Sequence, residues 1–242
     1  MDMISKYLPA ASSYAQDVDH LIWLVAVIVG AWFVLALGII LFFIVRFSAR
    51  EGQKALYIEG VDPKEKRWVA WPHYAVLVFD LIILFFAVKV WVNIKQDMPP
   101  ADSTVRVIVQ QWAWTFQHPG QDNALDTPDD IFKIDELHLE VGKTYHYELQ
   151  SKDVLHDFSV PVFRLKQDAV PGRTIRGWFK PTLAGGFDIQ CAEMCGIGHG
   201  IMAARLYVET PAQHQDWIKA HTPAEALAQG PAPTENNGEQ TP

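Results

Sequence analysis

The feature that most constrains this chain is a run of 25 residues, 21–45, that contains no charged side chain. As a helix this run would extend ~37 Å, enough to cross the ~30 Å hydrocarbon core of a bilayer with some tilt. A second apolar segment covers about residues 71–93 and is interrupted only by Asp80 and Lys89. The alternative, a buried helix of a soluble protein, is disfavoured by the length of the first run. The sequence therefore predicts a transmembrane helical hairpin within residues 21–95.

Basic residues are unevenly distributed around the two apolar segments. The loop between them holds six Lys and Arg residues, whereas residues 1–20 hold only Lys6 and residues 94–110 only Lys95 and Arg106. Because basic loops stay in the cytoplasm, this bias predicts a cytoplasmic loop and two extracytoplasmic termini. The apolar run is too long for a signal peptide and lacks a basic segment before it. The net charge of −8 argues against nucleic acid and is compatible with a basic protein partner.

Beyond about residue 100 the apolar residues alternate with polar ones. This period of two recurs at residues 105–109, 137–141, 145–149 and 204–208, which predicts half-buried strands. Glycine and proline turns separate the strands, and the pattern suggests an antiparallel Greek-key sandwich or barrel over residues 100–218. A short helix is predicted at residues 211–220, with Thr210 as its N-cap. Residues 222–242 lack apolar side chains to offset the entropy of ordering, which predicts a disordered tail.

Soft metal ligands are concentrated in one short segment of the β region. Cys191 and Cys195 are followed by His199 and Met202, and His156 precedes Cys191 by 35 residues. Thiolate, thioether and imidazole together suit copper better than magnesium, calcium or manganese. The remaining seven histidines have no ligand spacing and are predicted to be surface or interface residues.

A bare pair of cysteines four residues apart is equally compatible with a disulfide when the protein lies outside the cytoplasm. A disulfide needs neither the nearby histidine and methionine nor the three glycines that would let the backbone fold round an ion, namely Gly196, Gly198 and Gly200. Zinc, c-type haem and iron–sulfur clusters do not match the spacing well. A blue copper centre would use one cysteine and leave the other thiolate without a role.

With these residues the chain resembles subunit II of haem-copper cytochrome c oxidases, from the first apolar segment to about residue 218. Residues 165–173 (LKQDAVPGR) and 111–114 (QWAW) add to the resemblance. It implies a two-helix transmembrane hairpin followed by an all-β Greek-key cupredoxin domain with a binuclear copper A centre. The implied function is to pass electrons from cytochrome c to a haem-copper subunit, which reduces oxygen to water with proton translocation.

The same resemblance assigns the metal ligands. Cys191 and Cys195 are implied to bridge two copper ions, while His156 and His199 would each bind one ion. The thioether of Met202 would be a weak ligand of one copper. The haems would lie on the partner subunit.

Further roles follow from the resemblance alone. The backbone carbonyl of Glu193 would be the weak ligand of the second copper, and its carboxylate matches a ligand for magnesium at the interface with subunit I. Trp112 matches the surface tryptophan that accepts electrons from cytochrome c, although a core aromatic is the alternative. Ala113 replaces an aromatic residue often found beside it.

Acidic residues provide two more hypotheses. Asp153 best matches a docking position for a lysine-ringed cytochrome, and four other carboxylates could steer it or simply be solvated: Asp122, Asp126, Asp129 and Asp130. Glu65 precedes Trp68 by three residues and Pro72 by seven, which matches the glutamate at the entrance of a proton channel. Its alternative is an exposed partner for the neighbouring lysines.

The implied partners are oxidase subunits I and III, cytochrome c and membrane lipid. The implied location is the bacterial inner membrane, with the cupredoxin domain and both termini on the periplasmic side. Three other functions compete: a copper A subunit of a nitric oxide reductase, a metal-free structural subunit of a quinol oxidase, and a membrane-anchored copper-binding carrier. Retention of all six ligand positions disfavours the quinol oxidase. Copper carriers tend to have methionine-rich sites, and only one of the five methionines here occupies a ligand position, which disfavours the carrier.

Overall fold

The computed structural model describes residues 8–49, 51–52, 54 and 59–224, which form two compact units. One unit is Asp17–Gln96, and the other combines the chain up to Gln16 with the chain from Asp97 onward. Residues 225–242 of the predicted tail, as well as Lys6 and Arg50 of the charge distribution, lie outside the described residues.

Two long helices dominate the first unit: α1 spans Ala15–Arg46, and α2 spans Pro63–Trp91 and continues into a π-helical turn at Val92–Gln96. At the start of α2 the side chain of Asp62 accepts a hydrogen bond of 2.7 Å from the N–H of Lys64. Both helices are long and apolar enough to cross a membrane, and no side chain in their apolar cores is buried. The predicted pair of apolar helices is therefore present.

The described part of the second unit contains ten strands. They are β1 (Ser103–Gln110), β2 (Ala113–His118), β3 (Ile131–Ile134), β4 (Glu136–Glu140), β5 (Tyr145–Ser151), β6 (His156–Val160), β7 (Leu165–Ala169), β8 (Thr174–Phe179), β9 (Gly185–Cys191) and β10 (Ala203–Glu209). One sheet has the order β3-β2-β1-β5-β8, and the other has the order β4-β10-β9-β6-β7. The predicted fold class, two apolar helices followed by an all-β cupredoxin domain, is confirmed.

Two strand pairs differ from the antiparallel expectation. β1 pairs with β5 in parallel, and β10 pairs with β4 in parallel, while the other pairs are antiparallel. Alternating apolar residues report that one face of a strand is buried, whichever direction the neighbouring strand takes. The direction of pairing was therefore not readable from the sequence pattern.

The core lies between the two sheets. In β1, Val105, Val107 and Val109 are fully buried, and Trp114 of β2 and Phe158 of β6 pack against each other with ring centroids 5.6 Å apart. Because protein interiors are close-packed, such a core gives rigid support to the loops at its ends.

Residues 9–15 pack on the β domain. The N–H of Ala11 donates to the carbonyl of Val162 at 2.8 Å, and its carbonyl accepts from the N–H of Thr182 at 2.8 Å. The buried ring of Tyr14 meets Trp178 edge to face, with centroids 5.2 Å apart. The segment before α1 is thus part of the β domain.

A histidine cluster lies where α3 (Pro211–His221) packs on the β domain. The carboxylate of Glu209 accepts from His138 at 2.7 Å and from His214 at 2.9 Å, and Trp217 stacks on His138 with centroids 4.2 Å apart. These two histidines and His118 are buried within the domain, so the prediction of surface or interface positions was wrong for all three. The predicted helix itself is present and begins with a capping box at Thr210.

Candidate metal centre

Two loops meet at one end of the second sheet. Strand β6 begins at His156, and its neighbour β9 ends at Cys191, with Phe158 opposite Cys191 in the pairing. The loop 192–202 then leads into β10, and the N–H of Cys191 donates to the carbonyl of Met202 at 3.2 Å. Strand register therefore brings the first candidate ligand beside the loop that carries the others.

Three sulfur atoms and two imidazole rings lie close together at this end of the sheet. The Sγ atoms of Cys191 and Cys195 lie 3.8 Å apart, and the Sδ of Met202 is 3.8 Å from Cys195 Sγ. The Nδ1 of His156 is 3.9 Å from Cys191 Sγ, and the Nδ1 of His199 is 3.6 Å from Cys195 Sγ. A disulfide would require about 2.05 Å between the sulfurs, and both cysteines are free.

The donor atoms match the chemistry of copper. The carbonyl oxygen of Glu193 is 3.2 Å from Cys191 Sγ, so all six predicted positions contribute an atom to the same small volume. Ligand atoms of His156, Cys191 and Cys195 lie within 4.8 Å of one another, and all three residues are buried. Sulfur and imidazole donors in an enclosed site favour copper over hard cations. The residues present fit a copper centre.

The surroundings of Cys195 favour its protonated thiol in the metal-free protein. Burial and the neighbouring thiol of Cys191 raise the pKa of Cys195 to about 11. Since the thiolate is the metal ligand, binding of a metal there would release a proton.

Three groups outside the ligand set bind the two loops together. The carboxylate of Asp153 accepts from His156 Nε2 at 2.9 Å and from the backbone N–H of Gln111 at 2.6 Å. The side chain of Gln111 donates to the carbonyl of Cys195 at 2.8 Å, and the indole of Trp112 donates to the same carbonyl at 3.3 Å. Burial raises the pKa of Asp153, but the hydrogen bonds that its carboxylate accepts from Gln111, His156 and Val154 outweigh burial and hold the pKa below its ordinary value.

Trp112 occupies the turn between β1 and β2 and is 39% exposed, whereas Trp114 two residues later is fully buried. Two glycines make room for this turn. A Cβ at Gly198 would collide with the ring of Trp112, and one at Gly196, whose φ is +121°, would come within 2.9 Å of the Gln111 amide nitrogen. A Cβ at Gly200 would meet nothing within 4 Å. Gly196 and Gly198 are therefore needed for the close approach of Gln111 and Trp112.

A buried carboxyl group beside the site was not predicted. Asp157 follows His156 and pairs across β6 and β7 with Asp168. Burial, together with a hydrogen bond to Asp168, raises the pKa of Asp157 to about 7. Its position directly after a candidate ligand was the only sequence signal.

The remaining predicted residues lie elsewhere. Glu65 is half-buried in the first turn of α2, in the unit that holds the two long helices. Among the acidic residues proposed to steer a cytochrome, Asp130 is buried and Asp126 forms an ion pair of 2.6 Å with Arg106. Asp122 is exposed, and its carboxylate accepts from the N–H of Ala124.

Comparison with known proteins gives matches to one family. A family model described as cytochrome c oxidase subunit II, periplasmic domain, matches residues 103–208. The alternative cytochrome c oxidase subunit 2 of Bradyrhizobium diazoefficiens is 31% identical, with 88% of this chain and 83% of that protein covered. The cytochrome c oxidase subunit 2 of Cereibacter sphaeroides is 28% identical, with 88% and 78% covered.

Among solved structures, the periplasmic domain of subunit II of cytochrome oxidase (CoxB) of Bradyrhizobium japonicum matches 51% of this chain and 96% of its own, at 27% identity and a TM-score of 0.46. This chain belongs to the cytochrome c oxidase subunit II family. The relatives named above are subunits of a cytochrome c oxidase, an oxidoreductase.

Proposed function

We propose that this chain receives electrons from cytochrome c and passes them to the haem-copper catalytic subunit of a cytochrome c oxidase. The observation that carries the proposal is the pair of free thiols 3.8 Å apart, flanked by two imidazole nitrogens and a thioether. Two copper ions bound by this set would supply a one-electron carrier. A disulfide or a single-copper site would not use all of these donors.

The ligand roles that we propose are those that the resemblance to the family implies. Cys191 and Cys195 would bridge the two ions, and His156 and His199 would each bind one of them. Met202 would be a weak ligand of one ion and the Glu193 carbonyl a weak ligand of the other, while the Glu193 carboxylate would bind magnesium at the interface with subunit I.

The protein surrounds this set with a rigid apolar shell. His156 is fully buried, and the ring of Trp114 lies 6.4 Å from its imidazole, centroid to centroid. Cys195 and Met202 are each 3% exposed. Such a shell excludes water and keeps the ligands from moving when the charge of the centre changes, which favours fast electron transfer.

Trp112 supplies a route from the surface to the ligands. Its ring is partly exposed, and its indole N–H is bonded to the carbonyl of Cys195, so one side chain joins solvent to a ligand residue. Around it the ligand loop exposes apolar side chains: Met194, Ile197 and Ile201. An apolar patch of this kind suits a protein interface. We assign the surface around Trp112 to contact with cytochrome c, and the rest of this face to partner oxidase subunits.

The location we propose is the bacterial inner membrane, with α1 and α2 crossing it and the β domain in the periplasm. Residues 9–15 support this topology because they pack on the β domain and lead directly into α1. The start of α1 would therefore lie on the periplasmic side, as the distribution of basic residues also requires. Subunits I and III and membrane lipid would surround the helices.

The experiment is to purify the full-length chain with its partner subunits from native membranes, identify those subunits, and measure copper, the electron paramagnetic resonance spectrum and turnover. Two coppers sharing one unpaired electron, together with oxygen consumption driven by reduced cytochrome c, are expected. A protein without copper, or with one isolated copper, would contradict the metal assignment. Reduction of nitric oxide in place of oxygen would assign the same site to a nitric oxide reductase.

A further inference from the structure

Most of the hydrogen-bonding capacity of the Asp153 carboxylate is used within the β domain, which leaves little for a docking partner. Its Oδ1 accepts from His156 Nε2 at 2.9 Å and from the N–H of Val154 at 2.6 Å, and its Oδ2 accepts from the N–H of Gln111 at 2.6 Å. The side chain is 29% exposed. All three donors belong to the same protein domain, so a cytochrome lysine would have to compete with bonds that are already formed.

The bond to His156 fixes the state of its imidazole. A carboxylate only accepts hydrogen bonds, so the proton of the neutral ring must lie on Nε2. The Nδ1 is then left with a free lone pair, and it is this nitrogen that lies 3.9 Å from Cys191 Sγ. Carboxylates that hold a ligand histidine in this way orient the ring and make it a better metal ligand.

The other oxygen of Asp153 reaches the second ligand loop through Gln111. The backbone N–H of Gln111 donates to Asp153, while its side-chain amide donates to the Cys195 carbonyl at 2.8 Å. A continuous set of hydrogen bonds therefore runs from His156 through Asp153 and Gln111 to Cys195. It joins two ligands that lie 39 residues apart in the chain.

We propose that Asp153 and Gln111 are positioning residues, which hold the His156 imidazole and the Cys195 backbone in place for copper. This inference rests on the proposed function, since it concerns the same metal centre. Substitution of a residue that hydrogen-bonds a metal ligand typically lowers metal affinity by about 10- to 100-fold. Asp153 thus acts on the metal centre before any cytochrome is present.

The test uses the full-length protein in detergent without cytochrome c. Asp153→Ala removes the acceptor for His156 and for the Gln111 N–H, whereas Gln111→Met removes only the side-chain bond to the Cys195 carbonyl. Asp153→Asn keeps one carbonyl acceptor. The matched control is Asp122→Asn, which removes a carboxylate charge from an exposed position of the same domain. Copper affinity is measured by competition with a Cu(I) chelator of known affinity, and the centre is followed by its paramagnetic resonance spectrum and reduction potential. Circular dichroism checks that each variant is folded.

We expect affinity to fall about 10- to 100-fold in Asp153→Ala and Gln111→Met, with altered spectra and potentials. Asp153→Asn should recover part of the loss, and Asp122→Asn should match the wild type. If Asp153→Asn and Asp153→Ala keep the wild-type affinity, spectrum and potential, Asp153 does not position His156. Weakened cytochrome association at low salt would then assign it to docking. A wild-type protein that binds no copper would instead contradict the proposed function.

Should Asp153→Ala not fold, Asp153→Asn and Gln111→Met decide the question by the same measurements. A wild-type centre in both folded variants would overturn the proposal.

Discussion

Buried histidines lie near both ends of strand β10 in the β domain, and their surroundings differ in one respect. Near Met202, Asp153 bonds one nitrogen of His156, and the other nitrogen faces sulfur. At the other end, the carboxylate of Glu209 is hydrogen-bonded to the Nδ1 atoms of both His138 and His214. The first arrangement leaves a ligand nitrogen directed at soft donors, and the second uses the histidines to dock a helix.

Burial alone therefore does not distinguish a metal ligand from a structural histidine. Among the described residues, a group of three candidate metal-binding side chains occurs only where His156 meets the cysteines. At the other end the rings stack on Trp217 and Tyr207, with His138 4.2 and 4.8 Å from them, centroid to centroid. The neighbours of the imidazole distinguish the two kinds of histidine. The Nδ1 of His156 faces a cysteine sulfur, whereas the Nδ1 of His138 bonds a carboxylate and its ring stacks on aromatic side chains.

The largest effect is expected from removing one of the two thiols that we propose as bridges between the coppers. Cys191→Ser or Cys195→Ser should abolish the mixed-valence copper signal completely, because hydroxyl oxygen is a poor substitute for thiolate in a copper site. Metal analysis and paramagnetic resonance of the full-length protein would measure it. Glu209→Ala, at the other end of β10, serves as the control and should leave the signal unchanged. A variant of either cysteine that retains the two-copper spectrum would contradict the assignment of that residue.

At the helix-docking end, loss of the shared carboxylate should reduce stability rather than metal binding. Glu209→Ala removes the acceptor for two buried imidazoles, and leaving buried donors without partners costs about 1–3 kcal/mol. Glu209→Gln should recover part of this, since its amide oxygen still accepts one bond. The shift of the urea midpoint at unchanged slope measures the cost. Equal stability of wild type and Glu209→Ala would show that the cluster does not hold the helix.

Trp112, in the turn between β1 and β2, provides the third test. Trp112→Phe should keep both coppers but slow electron input from cytochrome c by about tenfold or more, which corresponds to ~1.4 kcal/mol in the barrier. The ligands are untouched, but the indole bond to the Cys195 carbonyl is lost. Rapid mixing under saturating cytochrome c measures the rate. Wild-type electron input in this variant would place the route elsewhere.

Much of the fold followed from local pattern, and much of the site did not. The apolar runs predicted both helices, and residues 191–202 hold most of the donor atoms within one loop, so their convergence needs only a turn. The contacts of Gln111 with Cys195 and of Glu209 with His138 join residues 84 and 71 positions apart. They depend on which strands are neighbours, and alternation does not encode that. The same limitation made the buried histidines look like surface residues.

A smaller effect is expected when the histidine cluster is titrated. Burial, together with the nearby His138 and His214, lowers the pKa of His118 to about 3, although a backbone hydrogen bond at Ile131 and the carboxylate of Glu209 act in the opposite direction. The unfolded chain therefore binds a proton between pH 6.5 and 3 that the folded protein does not. This contribution to stability is complete above pH 6.5 and is lost as the pH falls, by at most ~1.4 kcal/mol per pH unit.

Urea unfolding at several pH values would measure this loss. Burial raises the pKa of Glu209, but its bonds to the two imidazoles outweigh this and hold it at about 2 against an ordinary 4.5, so its contribution is lost only below about pH 4.5. The window from pH 6.5 to 4.5 therefore separates His118 from Glu209. Asp157, whose pKa is raised to about 7, titrates in this window in both proteins, so His118 is measured from the difference between them. The stability of His118→Gln relative to wild type should rise as the pH falls from 6.5 to 4.5, and a constant difference would mean that His118 is protonated in the folded state.

The smallest effect concerns Glu65, which lies outside the β domain and so extends the comparison to the helical unit. If Glu65 delivers protons to a channel formed with subunit I, Glu65→Gln should slow steady-state turnover by about two- to threefold, or under ~1 kcal/mol in the barrier. Its neighbour Lys64 offers a control, because Lys64→Gln removes a charge from the same turn of α2. Copper content and the first electron transfer from cytochrome c should stay at wild-type values, since both belong to the β domain. Turnover of Glu65→Gln equal to that of the wild type across a pH series would leave Glu65 as an exposed partner of the neighbouring lysines.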